Sequence, residues 1–264
     1  LLQRVRGMFT FVIWDKNKQE LFGARDHFGI KPFYYAKMNG TFMYASEIKS
    51  LLRHPDFVKE LNAEALKPYM TFQYPAIGET FFKGVYKLPE GHYFTYRDGK
   101  MDIHRYYDED FREGKQKLGE LVNSIDQTVC DSVKAHQIAD VEVGSFLSSG
   151  VDSSYVAAVA RPQHTYSIGF GKGTYNESQQ AGELAELLKL NNTAESLTDE
   201  EAFAAFPRIQ WHLDEPDSNP SCVPLYFLSA LAAKDVKVVL SGEGADELFA
   251  GYIDYGVHTK FRPI

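Results

Sequence analysis

Two short runs hold most of the chemistry available to this chain. In the first, Ser145-Phe-Leu-Ser-Ser-Gly-Val-Asp-Ser-Ser154, an apolar stretch (Val141 to Leu147) stops at small residues and a helical pattern (Ser153 to Ala160) begins. That order predicts a strand, a tight loop and a helix start. Ser148, Ser149 and Gly150 let the backbone come close to an anion, and the first amides of the helix add donors and partial positive charge. The segment from Ser148 to Ser154 is therefore suited to holding a phosphate, and Asp152 stands where it could carry a divalent metal to it. It is not the G-x-x-x-x-G-K-[ST] loop, which needs a Lys to reach the outer phosphates. The plainer alternative is a Ser/Gly turn with no ligand.

The second run, Val236-Lys-Val-Val-Leu-Ser-Gly-Glu-Gly-Ala-Asp-Glu-Leu-Phe-Ala-Gly-Tyr252, repeats the design with acids. A β-branched strand (Val236 to Leu240) ends in a small-residue turn bearing Glu243, Asp246 and Glu247. Carboxylates beyond the carboxyl end of a parallel strand are well placed for a nucleotide site. Their plainer role is a solvated turn in which Asp246 and Glu247 complement a helix dipole.

These loops need a scaffold, and the pattern after residue 117 supplies one. Leu118 to His136 carries apolar residues at three-and-four spacing, an amphipathic helix. Strands and helices then alternate: Val141 to Leu147, Ser153 to Ala160, His164 to Phe170, Glu177 to Leu188, Thr193 to Leu197, Asp199 to His212 opened by Thr198, Cys222 to Lys234, and Val236 to Leu240. Alternation implies a parallel sheet with helices on both faces and right-handed crossovers. The earlier half reads differently. Met8 to Asp15 with Gln19 to Ala24, and Phe33 to Lys37 with Thr41 to Ala45, form hairpins. Tyr86 to Leu88, His92 to Arg97 and Lys100 to Tyr106 are further strands, so this half is an antiparallel sheet. Ser46 to Leu52 is a short helix with Ser46 as its cap, and Asn62 to Phe72 a second with Asn62 as its cap. The charged stretch Asp108 to Gln116 marks the boundary, giving domains 1–110 and 111–264.

Together the two loops resemble known proteins. The first resembles the S-G-G-x-D-S pyrophosphate loop of ATP pyrophosphatases, with Ser149 in place of the first Gly; serine fits unless that position needs positive φ. SGEGADE-x-F-x-GY after such a loop resembles the synthetase domain of glutamine-dependent asparagine synthetases. The runs Arg6 to Asp15, Leu21 to Pro32, Tyr44 to Lys49, Pro89 to Tyr93 and Arg105 to Tyr107 look like the later half of that family's amidotransferase domain. The resemblance implies a partial Ntn-type glutaminase antiparallel β domain followed by a Rossmann-like parallel-sheet ATP pyrophosphatase (HUP) domain.

It implies a reaction too: aspartate, ATP and glutamine-derived ammonia give asparagine, AMP and pyrophosphate through a β-aspartyl adenylate. Leu147 and Ile168 would flank the adenine, although both also read as core residues. Ser241 and Gly242 would contact the nucleotide, alongside Ser148, Ser149, Gly150, Asp152 and Ser153. Asp152 and Asp246 would hold Mg²⁺, and Glu243 would orient ammonia and accept its proton. The Pro-rich loop Leu213 to Pro224 could line the aspartate pocket or the ammonia path, with Ser221 as a contact, or be an ordinary interhelix loop. The family's amino-terminal Cys nucleophile and its R-G-P-D, N-G-E-I-Y-N and G-S-D-x-E segments are not in this sequence. The expectation is a piece of a longer enzyme that hydrolyses no glutamine by itself. A β-lactam synthetase-like ligase, or a non-catalytic nucleotide-binding homologue, are the rival readings.

Composition narrows the rest. A net charge of −8 argues against general nucleic-acid affinity. No apolar run approaches the ~20 residues that span a bilayer, so no membrane partner is expected. Two dispersed cysteines, Cys130 and Cys222, read as structural thiols of a reducing, cytoplasmic setting. Oligomeric state, a homodimer included, is open.

Overall fold

The computed structural model describes residues 1–110, 114–170, 177–253 and 255. It divides into two compact units: Leu1–Glu113 with Gln210–Asn219, and Gly114–Ile209 with Pro220–Ile264.

The first unit is two antiparallel sheets. Strand β1 (Thr10–Asp15) pairs with β2 (Glu20–Arg25), as the first hairpin predicts. Strands β3 (Tyr34–Met38) and β4 (Thr41–Ala45) form the second hairpin. Strand β5 (Val85–Lys87) joins β3, whereas β6 (His92–Arg97) joins β2 and carries β7 (Lys100–Arg105) at its other edge. The single antiparallel sheet expected from the sequence is thus two, ordered β1-β2-β6-β7 and β4-β3-β5. Buried Phe33, Leu88 and Phe94, with Val12, Leu21 and Phe42 against them, make the aromatic-rich core of this unit. Tyr34, Ala36, Met43 and Val85 pack with Ile48 and Leu51 of the short helix α1 (Ile48–Leu51) in a second cluster.

Helix α1 corrects one expectation. Ser46 does not cap it; Glu47 is at the N-cap and makes no side-chain cap bond. The Asp214 carboxylate accepts from the Ile48 and Lys49 amides at 2.7 and 3.2 Å instead. An Asp suits orphan amides as well as a Ser does, but it arrives from the distant segment Gln210–Asn219, which no local window can reveal. Asn62 does cap, accepting from the Glu64 amide at 3.2 Å, but its helix opens as a 3₁₀ turn (Ala63–Ala65) before α2 (Leu66–Phe72).

The second unit is a parallel sheet between helices. Helix α3 (Leu118–His136) has the bounds its spacing predicts. Then come β8 (Val143–Phe146), α4 (Val151–Ala160), β9 (His164–Phe170), α5 (Glu177–Leu188), β10 (Asn191–Leu197), α6 (Asp199–Leu213), α7 (Cys222–Ala232), β11 (Val238–Leu240) and α8 (Ala245–Phe249). All pairings are parallel, in the order β10-β9-β8-β11. Leu147, Val143 and Leu240 pack against α3, α4 and α5 through Val133, Ala157, Ala160 and Ala181. Phe146, Tyr166 and Val239 face α7 through Leu228, Leu231 and Ala232. The sheet is therefore covered on both faces, which is why its strands are apolar without strict alternation.

Candidate functional site

The strand order locates the site. The chain moves outward from β8 to β9 to β10, then returns to place β11 on the other side of β8. The order reverses between β8 and β11, and in open α/β sheets that switch point leaves a crevice beyond the strand ends. The loops that follow β8 and β11 are the two chemistry-bearing runs. Their strand ends are tied together: the buried Ser145 hydroxyl donates to the Leu240 carbonyl at 3.3 Å.

Leu147 is pinned from both sides. Its amide donates to the Tyr166 carbonyl at 2.8 Å, and its carbonyl accepts from the Ser167 hydroxyl at 2.7 Å. Its side chain is 2% exposed among Ala157, Ala181 and Ala185. The loop starts from this fixed point. The Ser148 amide donates to Ser153 Oγ at 3.1 Å, the two serine hydroxyls lie 2.7 Å apart, and the Gly150 amide donates to Ser148 Oγ at 3.1 Å. Gly150 is the N-cap of α4, so the helix begins at Val151, two residues before the sequence pattern suggests. Ser149 is exposed and is not among the residues with left-handed φ, so serine occupies the family's glycine position without strain.

Gly242 brings the second loop against the first. A Cβ there would lie 2.8 Å from Asp152 Cβ and 2.8 Å from the Ser153 nitrogen. Only a residue without a side chain permits this approach of the two backbones. Gly251 does the same for Asp246: a Cβ on it would collide with the Asp246 carboxylate, and its amide donates to the Asp246 carbonyl at 2.9 Å. The result is an open cleft of ≈ 160 Å³ lined by Ser148, Gly150, Asp152, Ser153, Gly242, Glu243, Gly244, Asp246 and Tyr252.

Seven of the residues singled out from the sequence thus meet in one cleft. Ser149 and Ser241 belong to the same two loops without lining it; Leu147 directly follows β8 and half-buried Ile168 lies within β9, and neither lines the cleft. Three contributors were not singled out. Gly244 and Tyr252 lay inside the quoted acidic run, and Ser167, next to Ile168, gave no signal because its role is to hold a carbonyl across the sheet. The Tyr252 hydroxyl donates to Glu247 Oε1 at 2.7 Å, and this bond to a carboxylate pushes its pKa up to about 12. Cys130 lies 3.9 Å from the Tyr155 hydroxyl and Cys222 opens α7; neither lines the cleft.

The donor set fits a hard cation shared with a phosphate. Among the described residues no group of three or more His, Cys, Asp or Glu forms a dedicated metal cage. Asp152 and Asp246 face the cleft together, and Mg²⁺ is commonly bound by one or two carboxylates plus substrate phosphates and waters. Among the described residues no helix is long and apolar enough to cross a membrane.

Fold and cleft together define an open α/β domain of the doubly wound kind, preceded by an antiparallel β unit. Residues 124–262 match the asparagine synthase family and residues 1–107 match the glutamine amidotransferase domain. The chain belongs to the asparagine synthase family. It is 41% identical over 98% of its length to asparagine synthetase [glutamine-hydrolyzing] 1 of Bacillus subtilis, covering 42% of that protein. It is 30% identical over 99% of its length to amidase chry2 of Gibberella zeae, again covering 42%. The chain therefore spans about two fifths of the length of these relatives. Among solved structures, NMN synthetase from Francisella tularensis aligns over 53% of this chain and 60% of its own, at 22% identity and a TM-score of 0.36.

Proposed function

We propose that the protein carrying this chain is a glutamine-dependent asparagine synthetase, with its two domains meeting near residue 110. The aspartate side-chain carboxylate attacks the α-phosphorus of ATP, the bond to the β-phosphate breaks, and pyrophosphate leaves. Ammonia derived from glutamine then attacks the acyl carbon of the adenylate, the carbon–oxygen bond to AMP breaks, and asparagine is released. The observation that carries this reading is the junction of the Ser148–Ser153 loop with the Gly242–Asp246 loop at the switch point, set by the close approach of Gly242 to Asp152 and Ser153.

Each residue has a role. Ser148, Ser149, Gly150 and Ser153 present amides and hydroxyls to the pyrophosphate. The serine hydroxyls that now hold the Ser148 and Gly150 amides can rotate away, because a phosphate makes the stronger, charge-assisted bond. Leu147, Ile168, Ser241 and Gly242 border the nucleoside. Glu243 orients the ammonia and takes its proton. Asp152 and Asp246 would hold Mg²⁺, which when bound supplies charge neutralisation for the leaving group. The setting proposed is the cytoplasm, where ATP, aspartate and glutamine are available.

The test is aspartate-dependent exchange of labelled pyrophosphate into ATP by the purified protein. Exchange that needs aspartate supports the reading. Exchange that ignores aspartate but follows another carboxylic acid favours a different acceptor, the reading that the similarity to a protein named amidase makes worth the control. No binding of ATP·Mg²⁺ by calorimetry refutes adenylation. Ser149 lends no support to a non-catalytic homologue, since its backbone carries no strain.

A further inference from the structure

The segment Gln210–Asn219 folds with the first unit although the chain on both sides of it, Ile209 and Pro220, belongs to the second. Its attachment is dense. Asp214 takes two amides of α1, and its carboxylate lies 2.9 Å from Lys49 Nζ, with side chains only 7% and 15% exposed. Lys49 Nζ also donates to the His212 carbonyl at 3.3 Å and stands 6.0 Å from the Trp211 ring centre. Glu215 accepts from the Phe81 amide at 3.0 Å. Gln210 closes the segment on itself, donating to the Asp217 carbonyl and accepting the Asp217 amide, each at 3.2 Å.

The anchor points are not peripheral. Helix α1 places Ile48 and Leu51 in the core of the small sheet. On the other side, Pro220 leads directly into α7, then β11 and the loop bearing Glu243. An ordinary interhelix loop is weakly held; this one, although most of its residues face solvent, sets a side chain only 7% exposed on a helix end.

We propose that Gln210–Asn219 is a coupling strap, and that Asp214 is a positioning residue which, through α1, keeps ammonia release in the first unit productive for amide formation in the second. The inference rests on the synthetase reading above and deepens it. It assigns to Asp214 no contact with substrate. Its effect should therefore fall on glutamine-driven synthesis and spare synthesis from free ammonium.

The experiment compares the two nitrogen sources in the intact protein, with Asp214→Ala and Asp214→Asn against the unmodified protein. Asp214→Ala is expected to lower glutamine-driven asparagine synthesis at least about fivefold relative to ammonium-driven synthesis, the low end of ordinary coupling between sites. The ratio of glutamate released to asparagine formed should rise correspondingly, and hydrogen exchange at the Ile48 and Lys49 amides should quicken. An unchanged ratio, or a parallel fall with both nitrogen sources, overturns the proposal. If Asp214→Ala does not fold, Asp214→Asn decides. It keeps an acceptor for the amides but loses the Lys49 charge pair, so a smaller rise in the glutamate ratio supports the strap and no rise overturns it. Absence of ammonium-driven synthesis in the unmodified protein would instead overturn the synthetase reading, a separate result.

Discussion

Two loops, one in each unit, gather backbone amides around oxygen, and they do it in opposite ways. In the first unit the amides of Phe9, Phe28, Ile30 and Lys31 all point at one carboxylate of the chain, Asp26, at 2.9 to 3.3 Å. Asp26 is 1% exposed, and neighbouring Arg25 locks the same loop by donating to the Leu88 and Lys31 carbonyls. In the second unit the amides of Ser148 and Gly150 point at neutral hydroxyls, each carried on a single χ1 bond. A loop that holds its own anion is complete and rigid. A loop held by hydroxyls is shaped in advance and gives up little when an outside anion replaces them. The contrast separates a structural amide cluster from one suited to a ligand, although both read as Gly- and Asp-containing turns.

Five substitutions would sharpen or break this contrast. The largest effect is expected at the acidic loop that closes on the Ser148–Ser153 loop from the other side of the cleft. Glu243→Ala should cut asparagine formation by about 10²–10⁴-fold, the usual span of a general acid–base group, while ATP binding by calorimetry persists. Near-normal synthesis would remove Glu243 from the mechanism. Asp26→Ala should act on stability and not on the chemistry of the cleft. It leaves four partly buried amides without their carboxylate; at about 1 kcal/mol each, the low end for an unmade bond, a total on the order of 3 kcal/mol in denaturant unfolding is expected. A loss below about 1 kcal/mol would mean that the Asp26 carboxylate does not organise its loop.

Gly242→Ala forces the added carbon into the Asp152 and Ser153 backbone, so a cost of about 1–3 kcal/mol and weaker ATP binding are expected together. Weaker binding with unchanged stability would show that the loops separate without strain. The smallest effect belongs to α6, where Thr198 and Glu201 form a reciprocal cap: the Glu201 amide donates to Thr198 Oγ at 3.2 Å and the Thr198 amide to Glu201 at 3.0 Å. Thr198→Ala should cost about 1 kcal/mol. Thr198 holds the Glu201 carboxyl below its ordinary value of 4.5. Its contribution is thus present above that pH and lost as pH falls through the lower folded value. The thermal-stability gap between the protein and Glu201→Gln should therefore close in acid. A gap that widened there would contradict the cap.

Much of this was legible before the structure, and the limits follow from physics. Helices α3 and α5 have the bounds their three-and-four spacing predicts, and β9, an inner strand buried on both faces, has those of its apolar run. Strand β11 is shorter than Val236 to Leu240 suggests: the Val236 amide still bonds back to Ala232 at the end of α7, and its side chain packs with Tyr166. The β-branched run marked the strand and was silent about where pairing starts. The two loops were readable as phosphate- and acid-bearing turns. Their adjacency was not, since the order β10-β9-β8-β11 depends on tertiary packing that no local window contains. The same holds for Asp214, which does for α1 the work expected of nearby Ser46. Capping rules name residue types and cannot say from how far along the chain the residue comes.

Gly251 has a consequence for how tolerance to change is distributed along the acidic run. It contributes no wall to the cleft, yet any side chain on it must evict the Asp246 carboxylate from its seat. In a saturation screen scored on activity, this position should register among the least permissive, alongside the acid it accommodates, and a survey of cleft-lining atoms alone would overlook it.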